Sequence, residues 1–534
     1  MSTVDKNPVV KTRSGEVRES LASGVVDEFE MKARVNEILN RWPTVGLAVG
    51  VVRHGTLEFF SRHGLADIAS NTPITEDTIF RIASITKTIT AIAVMQLWEQ
   101  GLIDLDAPAN DYLRAYKLIP ARATFRPATV RHLLTHTAGI REVLHPSGLL
   151  RMRDLGETVK VGRPVPSLAA YYQGGLRIDA EPGTRFMYTD HGFATLGRIV
   201  EDVSGKPLAR YLRELIFDPL GMADTSLVRS ELVQSRFATG YDLRPDGAKA
   251  VTDYEVVTVG GGAANSTPRD MARYVAALLG GGANEHGRVL KPSTMATMFE
   301  PHYQPDPRVP GNGLAFFRAN LGGHLAVEHD GILPGFDSQI FLAPDDGVGV
   351  MAFANGAKQG FHWLTPEIAG MLRHLLGVPD EVIRTDVPQH PEIWGDLCGW
   401  YHFSAHLPDP GKLALGAGIE VFVRRGQLMM RALSPLPALY RGFPLHPDDD
   451  SDPYVFRIDF STFGIATGRV VFSQEPGVGT TAVHLDVGPL SFQKQPTIKN
   501  PRLWATGALG ALAVAATATA IRRPRSRLHK EVET

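Results

Sequence analysis

The chain is predicted to be a mixed α/β (α+β) protein followed by a small all-β unit and a terminal apolar helix. Three observations carry that prediction. A strand-turn-strand pattern at 45–61 is followed by a strongly apolar helical run at 80–101, and further helical and strand patterns alternate to about Leu376. Beyond Pro388 and Pro391 the runs become short and alternating, without helical spacing. Near the end, Leu503 to Ile521 gives 19 residues without a charge. A chain of 534 residues exceeds one ordinary core and suggests two or three domains. The boundaries read as 1–25 polar and disordered, 26–380, 394–493, an apolar segment at 503–521 and a basic tail at 522–534.

Each element has a local reason. Residues 1–25 lack an apolar core segment of the kind an export signal needs. Phe29, Val35, Ile38 and Leu39 predict a helix from about Val26 to Arg41, stopped by Pro43. Val45 to Val52 is a β-branched run, and Arg53-His54-Gly55 turns it into Thr56 to Ser61. Phe80 to Gly101 reads as one helix, with Ile85, Ile89, Ile92, Ala93 and Leu97 on one face and further apolar residues on the other. Phe193, Leu196, Ile199, Val200 and Val203 predict a helix closed by Gly205, with Asp190 as its amino cap. Ser266-Thr267-Pro268 opens a helix to about Leu279. His324 to Glu328 leads into His329-Asp330-Gly331; Gln339 to Ala343 is a strand, Asp345-Asp346-Gly347 a hairpin turn, and Val348 to Ala354 the return strand. Trp363 to Leu376 is helical. In the last third, Ile419 to Arg424 and Leu428 to Leu433 form a hairpin, and Tyr454–Phe460, Gly468–Phe472 and Thr481–Val487 are further strands of a small barrel or sandwich.

The chemistry points to the start of the central helix. Ser84 and Lys87 are three apart in its first turn and share a face. A lysine on an apolar helix is expected to lose charge on burial, which lowers its pKa and lets it accept a hydroxyl proton. The positive end of the helix dipole favours negative charge developing on Ser84. The pair reads as an activated nucleophile and its base; the bland reading is a helix cap with a snorkelling lysine. Ser491-Phe-Gln-Lys494 repeats the spacing, but in a strand-like run that offers no helix start. His132 and His136 have a metal-like spacing without an adjacent acid or a third ligand, so polar capping is the better reading. Gly260-Gly-Gly262 is followed by no Gly-Lys-Ser/Thr, which excludes a phosphate loop. No metal or cofactor is expected. A net charge of −2 argues against a nucleic-acid partner, and the single cysteine, Cys398, excludes an internal disulfide. No Gly-x-Ser-x-Gly elbow occurs.

Four separated pieces then line up: Ser84-Ile-Thr-Lys87, Leu133-Leu-Thr-His-Thr-Ala-Gly139, Tyr188-Thr-Asp190 and His329-Asp330-Gly331. With Pro182-Gly183, Pro219-Leu-Gly-Met222 and Ser266-Thr-Pro268, the stretch from about Val26 to Leu376 resembles the class C β-lactamase family of serine hydrolases, with its penicillin-binding-protein-like esterases and D-aminopeptidases. The resemblance implies an antiparallel sheet flanked by helices, a helical subdomain, and a site between them. By position it makes Ser84 the nucleophile, Lys87 and Tyr188 the proton-relay pair, and the backbone N–H groups of Ser84 and Ile332 the oxyanion hole. Asp190, His329, Asp330 and Gly331 fall on its substrate-binding positions. Two departures matter: Asp190 stands where the family has Asn, and His329-Asp330-Gly331 replaces Lys-Thr-Gly. A neutral histidine holds a substrate carboxylate less well than lysine, and an aspartate in the cleft would oppose one. A small neutral ester or amide is therefore the expected substrate. D-Aminopeptidase or β-lactamase activity, and a catalytically silent scaffold of the same fold, are the alternatives. The 503–521 segment, with Arg522, Arg523, Arg525, Arg527 and Lys530 after it, reads as a membrane anchor or as an amphiphilic tail, docked or free.

Overall fold

The computed structural model describes residues 26–142, 158–357, 362–403, 418–432, 434, 436–460, 467–486 and 490–502. Helix α1 (Glu28–Arg41) starts at Asp27, whose carboxylate accepts from the N–H groups of Phe29 and Glu30. The main sheet follows: β1 (Gly46–Arg53), β2 (Thr56–Asp67) and the short β3 (Thr72–Pro73), then, far along the chain, β4 (Phe317–Leu321), β5 (His324–Leu333), β6 (Phe336–Ala343) and β7 (Val348–Ala354). Its order is β4-β5-β6-β7-β1-β2-β3, and every pairing is antiparallel. The first and last parts of this unit therefore meet at the β1–β7 pair, Leu47 opposite Ala354 through Arg53 opposite Val348.

Both faces of the sheet are covered, which is why β1 and β7 are buried along their whole length. Alternation sends Ala48 and Val52 to one core, shared with helices α2 (Thr86–Glu99), α3 (Asp190–Ser204) and α4 (Pro268–Leu279), while Leu47, Val49 and Val51 enter a second core with α1 and α5 (Leu364–Leu375). The central helix departs from expectation at its start. Phe80–Arg81 is a two-residue strand paired with Asn265–Ser266, Ala83–Ile85 is a single 3₁₀ turn, and regular helix begins only at Thr86. Every residue from Thr86 to Leu97 is buried, the expected state of a helix that is apolar on all sides.

The second sheet runs β8 (Gly399–Phe403), β9 (Gly418–Arg424), β10 (Gln427–Ala432), β11 (Phe443–Pro444), β12 (His446–Pro447), β13 (Val455–Asp459), β14 (Thr467–Glu475), β15 (Gly479–Leu485) and β16 (Leu490–Gln495). The order is β11-β10-β9-β8-β16-β15-β14-β13-β12. The two edge strands are separated in sequence by Leu445 alone, so the sheet has to curl until its edges approach each other. This near-barrel closes around its own core, including Tyr401, Leu428, Phe456, Phe472 and Val483. Prolines on both edges remove donors where no neighbour pairs.

A strap joins the two units. Arg308 forms a double hydrogen bond to Asp306 and reaches Asp452 and the Phe472 carbonyl of the near-barrel, each at 2.8 Å, while Val309 packs on Val455 and Val471. A few residues on, the same strap turns back to the main sheet through Asn312 and enters β4 at Phe317. Arg308→Ala is expected to cost about 1–3 kcal/mol, because Asp306 and Asp452 lose their partner. A melting temperature equal to that of the unaltered protein refutes this.

The 503–521 segment lies outside the described residues. Among the described residues no helix is long and apolar enough to cross a membrane.

Candidate active site

The site is built where the 3₁₀ turn, α3 and β5 converge. Ala83 has φ 48, an uncommon conformation for a residue with a side chain, directly before Ser84. Gly331 of β5 lies against this turn. A Cβ there would come within 2.4 Å of the Ile82 carbonyl oxygen and of Ser338 Oγ, so only glycine lets the strand approach. Ser338 Oγ reinforces the contact by donating to the Ile82 carbonyl at 2.9 Å. The expected oxyanion residue, Ile332, follows immediately on β5, with its side chain exposed.

Lys87 is fully buried, and its ammonium donates to Ser84 Oγ at 2.8 Å, to the Gly261 carbonyl at 2.8 Å, and to Asp190. It also lies 4.8 Å from the Tyr188 ring centroid. Gly261 sits in a short helix, Val259–Gly262, that presses on α3; a Cβ on Gly260 would meet the Phe193 carbonyl at 2.6 Å. The glycine run is thus a close-packing device, and its carbonyl is a ligand for Lys87. Sequence reasoning had no signal for that, since a backbone oxygen carries no residue identity.

The lysine is not depressed as expected. Burial pushes its pKa down, but the Asp190 carboxylate and Tyr188 outweigh it, and the net shift is upward. Lys87 is held as an ammonium. Asp190 in turn is not the amino cap of α3: Thr189 is, accepting from the His191 N–H, and Asp190 is the first helical residue with its side chain turned to Lys87. Where a carboxylate facing substrate was expected at 190, the structure has an ion pair with Lys87 beside Ser84. Tyr188 is pushed up by burial against the opposing pull of Lys87, so it rests as a phenol.

The His329-Asp330-Gly331 run divides between the two faces of β5. His329 faces the site, with its ring 6.5 Å from Tyr188 and 5.3 Å from Phe317. Burial lowers its pKa to about 4, so it is neutral. Asp330 points to the opposite face, where His362 Nδ1 bonds its carboxylate at 2.5 Å. The expectation of an aspartate in the cleft is corrected by this alternation. Burial pushes Asp330 up, yet the neighbouring His362 brings it to about 2.

On that same back face, Glu328 accepts from Gln339 at 2.8 Å, and burial and Asp330 raise it to about 8. Between the free-glutamate value and 8 the folded protein keeps a proton that the unfolded chain has released, so stability falls as pH rises through that range. Glu328→Gln is expected to raise the melting temperature at pH 8 and to leave it unchanged at pH 4. Equal melting temperatures at pH 8 count against a buried carboxyl here.

The second Ser-x-x-Lys is a different object. On β16 a separation of three puts Ser491 and Lys494 on opposite faces; Phe492 lines the near-barrel core, so Ser491 faces away from it, with its Oγ 2.8 Å from His484 Nδ1, while Lys494 bonds the Asp396 carbonyl. His132 completes a capping box with Thr129, as its capping reading requires. His136, four residues on, stacks on Tyr188 at 4.4 Å. It was legible only as part of the Leu-Leu-Thr-His-Thr-Ala-Gly run. Among the described residues no group of three or more His, Cys, Asp or Glu is placed to hold a metal ion.

A Ser–Lys pair on a buried helix start, a tyrosine beside the lysine, and a glycine strand closing over the serine define the serine hydrolases of the β-lactamase type. The chain belongs to the β-lactamase family, whose model matches residues 34–366. It is 31% identical over 400 residues to esterase EstB of Burkholderia gladioli, covering 70% of this chain and 88% of the relative. It is 25% identical over 351 residues to the putative penicillin-binding protein PbpX of Bacillus subtilis, covering 64% and 78% of the two chains. The octameric penicillin-binding protein homologue of Pyrococcus abyssi superposes with a TM-score of 0.57 at 23% identity, covering 88% of this chain and all of that one. That likeness extends the shared fold past the main sheet into the near-barrel.

Proposed function

We propose that this protein hydrolyses a neutral carboxylic ester, or less readily an amide, through an acyl-enzyme on Ser84. The observation that carries the reading is the hydrogen-bonded row Ser84–Lys87–Asp190 inside a buried helix start. Ser84 Oγ attacks the carbonyl carbon. Its proton passes to Lys87 while Lys87 gives one of its own to Asp190. The amine stays charged throughout, and the negative charge moves from Asp190 to the substrate oxygen. The backbone N–H groups of Ser84 and Ile332 receive that oxyanion; one such donor is worth about 3–4 kcal/mol in the transition state. Tyr188, resting as a phenol, protonates the leaving oxygen or nitrogen and recovers its proton through Lys87 from Asp190. Water then repeats the sequence on the acyl-enzyme and releases the acid.

Substrate class follows from charge. His329 is neutral, and the Lys87 ammonium is committed to Asp190, so neither holds a substrate carboxylate. The relative named as an esterase supports the same choice. Turnover of short p-nitrophenyl esters is expected to exceed that of nitrocefin by at least about tenfold in kcat/KM, a difference of roughly 1.4 kcal/mol. Comparable values on both would remove the charge argument. Absence of fluorophosphonate labelling, with neither substrate turned over, would favour the silent scaffold.

A further inference from the structure

Beside Tyr188 lies a group of polar atoms that this mechanism does not use. His136 sits at φ 56, a strained conformation for a residue with a side chain, and its ring stacks on Tyr188. Its Nδ1 accepts the Thr189 N–H at 3.2 Å. Burial holds the ring neutral, so its one proton is on Nε2. His329 has the opposite tautomer. Its Nδ1 lies 2.6 Å from the Asp330 carbonyl oxygen, which only accepts, so the proton is on Nδ1 and Nε2 carries a lone pair. His136 Nε2, His329 Nε2 and the Nδ2 of Asn312 are buried without a hydrogen-bond partner from the protein. The three residues are 4%, 1% and 4% exposed. All three line one cavity of ≈ 10 Å³, walled by Leu134, Phe316 and Phe317.

The cavity thus offers two donors and one acceptor. A hydroxyl presents the complement, one O–H and two lone pairs, and the volume matches a single oxygen atom. We infer that His136, Asn312 and His329 form a binding site for one hydroxyl group, supplied by water or by a small alcohol. A carboxylate or halide meets the His329 lone pair, and a metal ion meets the proton on His136 Nε2, so charged ligands are disfavoured. The bound oxygen ties the turn after Val130–Leu134, the strap from the near-barrel and β5 together, and holds the His136 ring against Tyr188. This site does not depend on the reaction assigned to Ser84.

The test uses the full-length protein in two measurements. A high-resolution crystal structure should show one oxygen within about 2.7–3.2 Å of all three nitrogen atoms. A soak in 2-bromoethanol separates the sources: a bromine peak next to that oxygen assigns the hydroxyl to an alcohol, and an isolated oxygen peak assigns it to water. Either result supports the site. Two-bond ¹H–¹⁵N correlation spectra should show the proton on Nε2 of His136 and on Nδ1 of His329. No oxygen common to the three groups, or a proton on Nδ1 of His136, overturns the inference.

Discussion

Ser84→Ala is expected to abolish fluorophosphonate labelling and to reduce ester turnover by roughly four orders of magnitude or more, the scale seen when a covalent nucleophile is removed. The fold should survive. Ser84 is half-buried, and the substitution removes one oxygen whose partner, Lys87, keeps the Gly261 carbonyl and Asp190. The matched control is Ser491→Ala, which deletes a buried partner of His484 and costs stability of about 1–3 kcal/mol, with turnover intact in the folded fraction. Equal ester turnover by the unaltered protein and Ser84→Ala, with melting temperatures also equal, would remove Ser84 from the chemistry.

The second large effect is expected at Asp190. In the proposed relay Asp190 takes a proton from Lys87, and asparagine takes none. Asp190→Asn forces Lys87 to reach Ser84 as the neutral amine. Burial, no longer opposed by the carboxylate, then lowers the lysine pKa. Activity near pH 6 is expected to fall by about 10–100-fold and to recover as pH rises through the lysine ionisation. The kcat/KM profile should therefore gain a steep acid limb that the unaltered protein lacks. Asp190→Ala is expected to be worse for the fold, at about 3–5 kcal/mol, because it leaves a buried ammonium without its counter-charge. An unchanged pH profile in Asp190→Asn would sink the relay while leaving Ser84 as nucleophile.

Much of this arrangement was legible in the chain because it is written in local spacing. Ser84 and Lys87 stand one helical turn apart, and a helix apolar on every side announces its own burial. The β1–β2 hairpin, α1, α4 and five strands of the second sheet, β9, β10, β13, β14 and β15, follow from periodicity and turn residues, whereas β8, β11, β12 and β16 did not stand out as separate strands in the sequence. The observed bounds of the elements that did fall within a few residues of the expected ones, except that β2 runs on to Asp67 where Ser61 was expected. The sequence alone also ruled out a phosphate loop at 260–262 and marked Ser491-x-x-Lys494 as a coincidence of spacing.

What only the tertiary structure decided concerns partners brought from far along the chain. Lys87 was expected to be neutral because its partner lies 103 residues away and charge pairing is not a local property. The fate of Asp330 turned on strand phase: in a β-strand adjacent residues face opposite sides, so His329 lines the site while Asp330 meets His362 behind the sheet. The start of the central helix was shortened because Phe80–Arg81 finds a strand partner at Asn265–Ser266, and a pairing with a distant segment of the same chain outweighs helical propensity in so short a run. The hydroxyl-sized cavity draws His136, Asn312 and His329 from three distant segments. Spacing along a helix or strand is set by backbone geometry and can be read from residues in order. Charge state, strand facing and cavity lining are set by whatever the fold places opposite, and for this protein that is where the Lys87–Asp190 ion pair beside Ser84 was found.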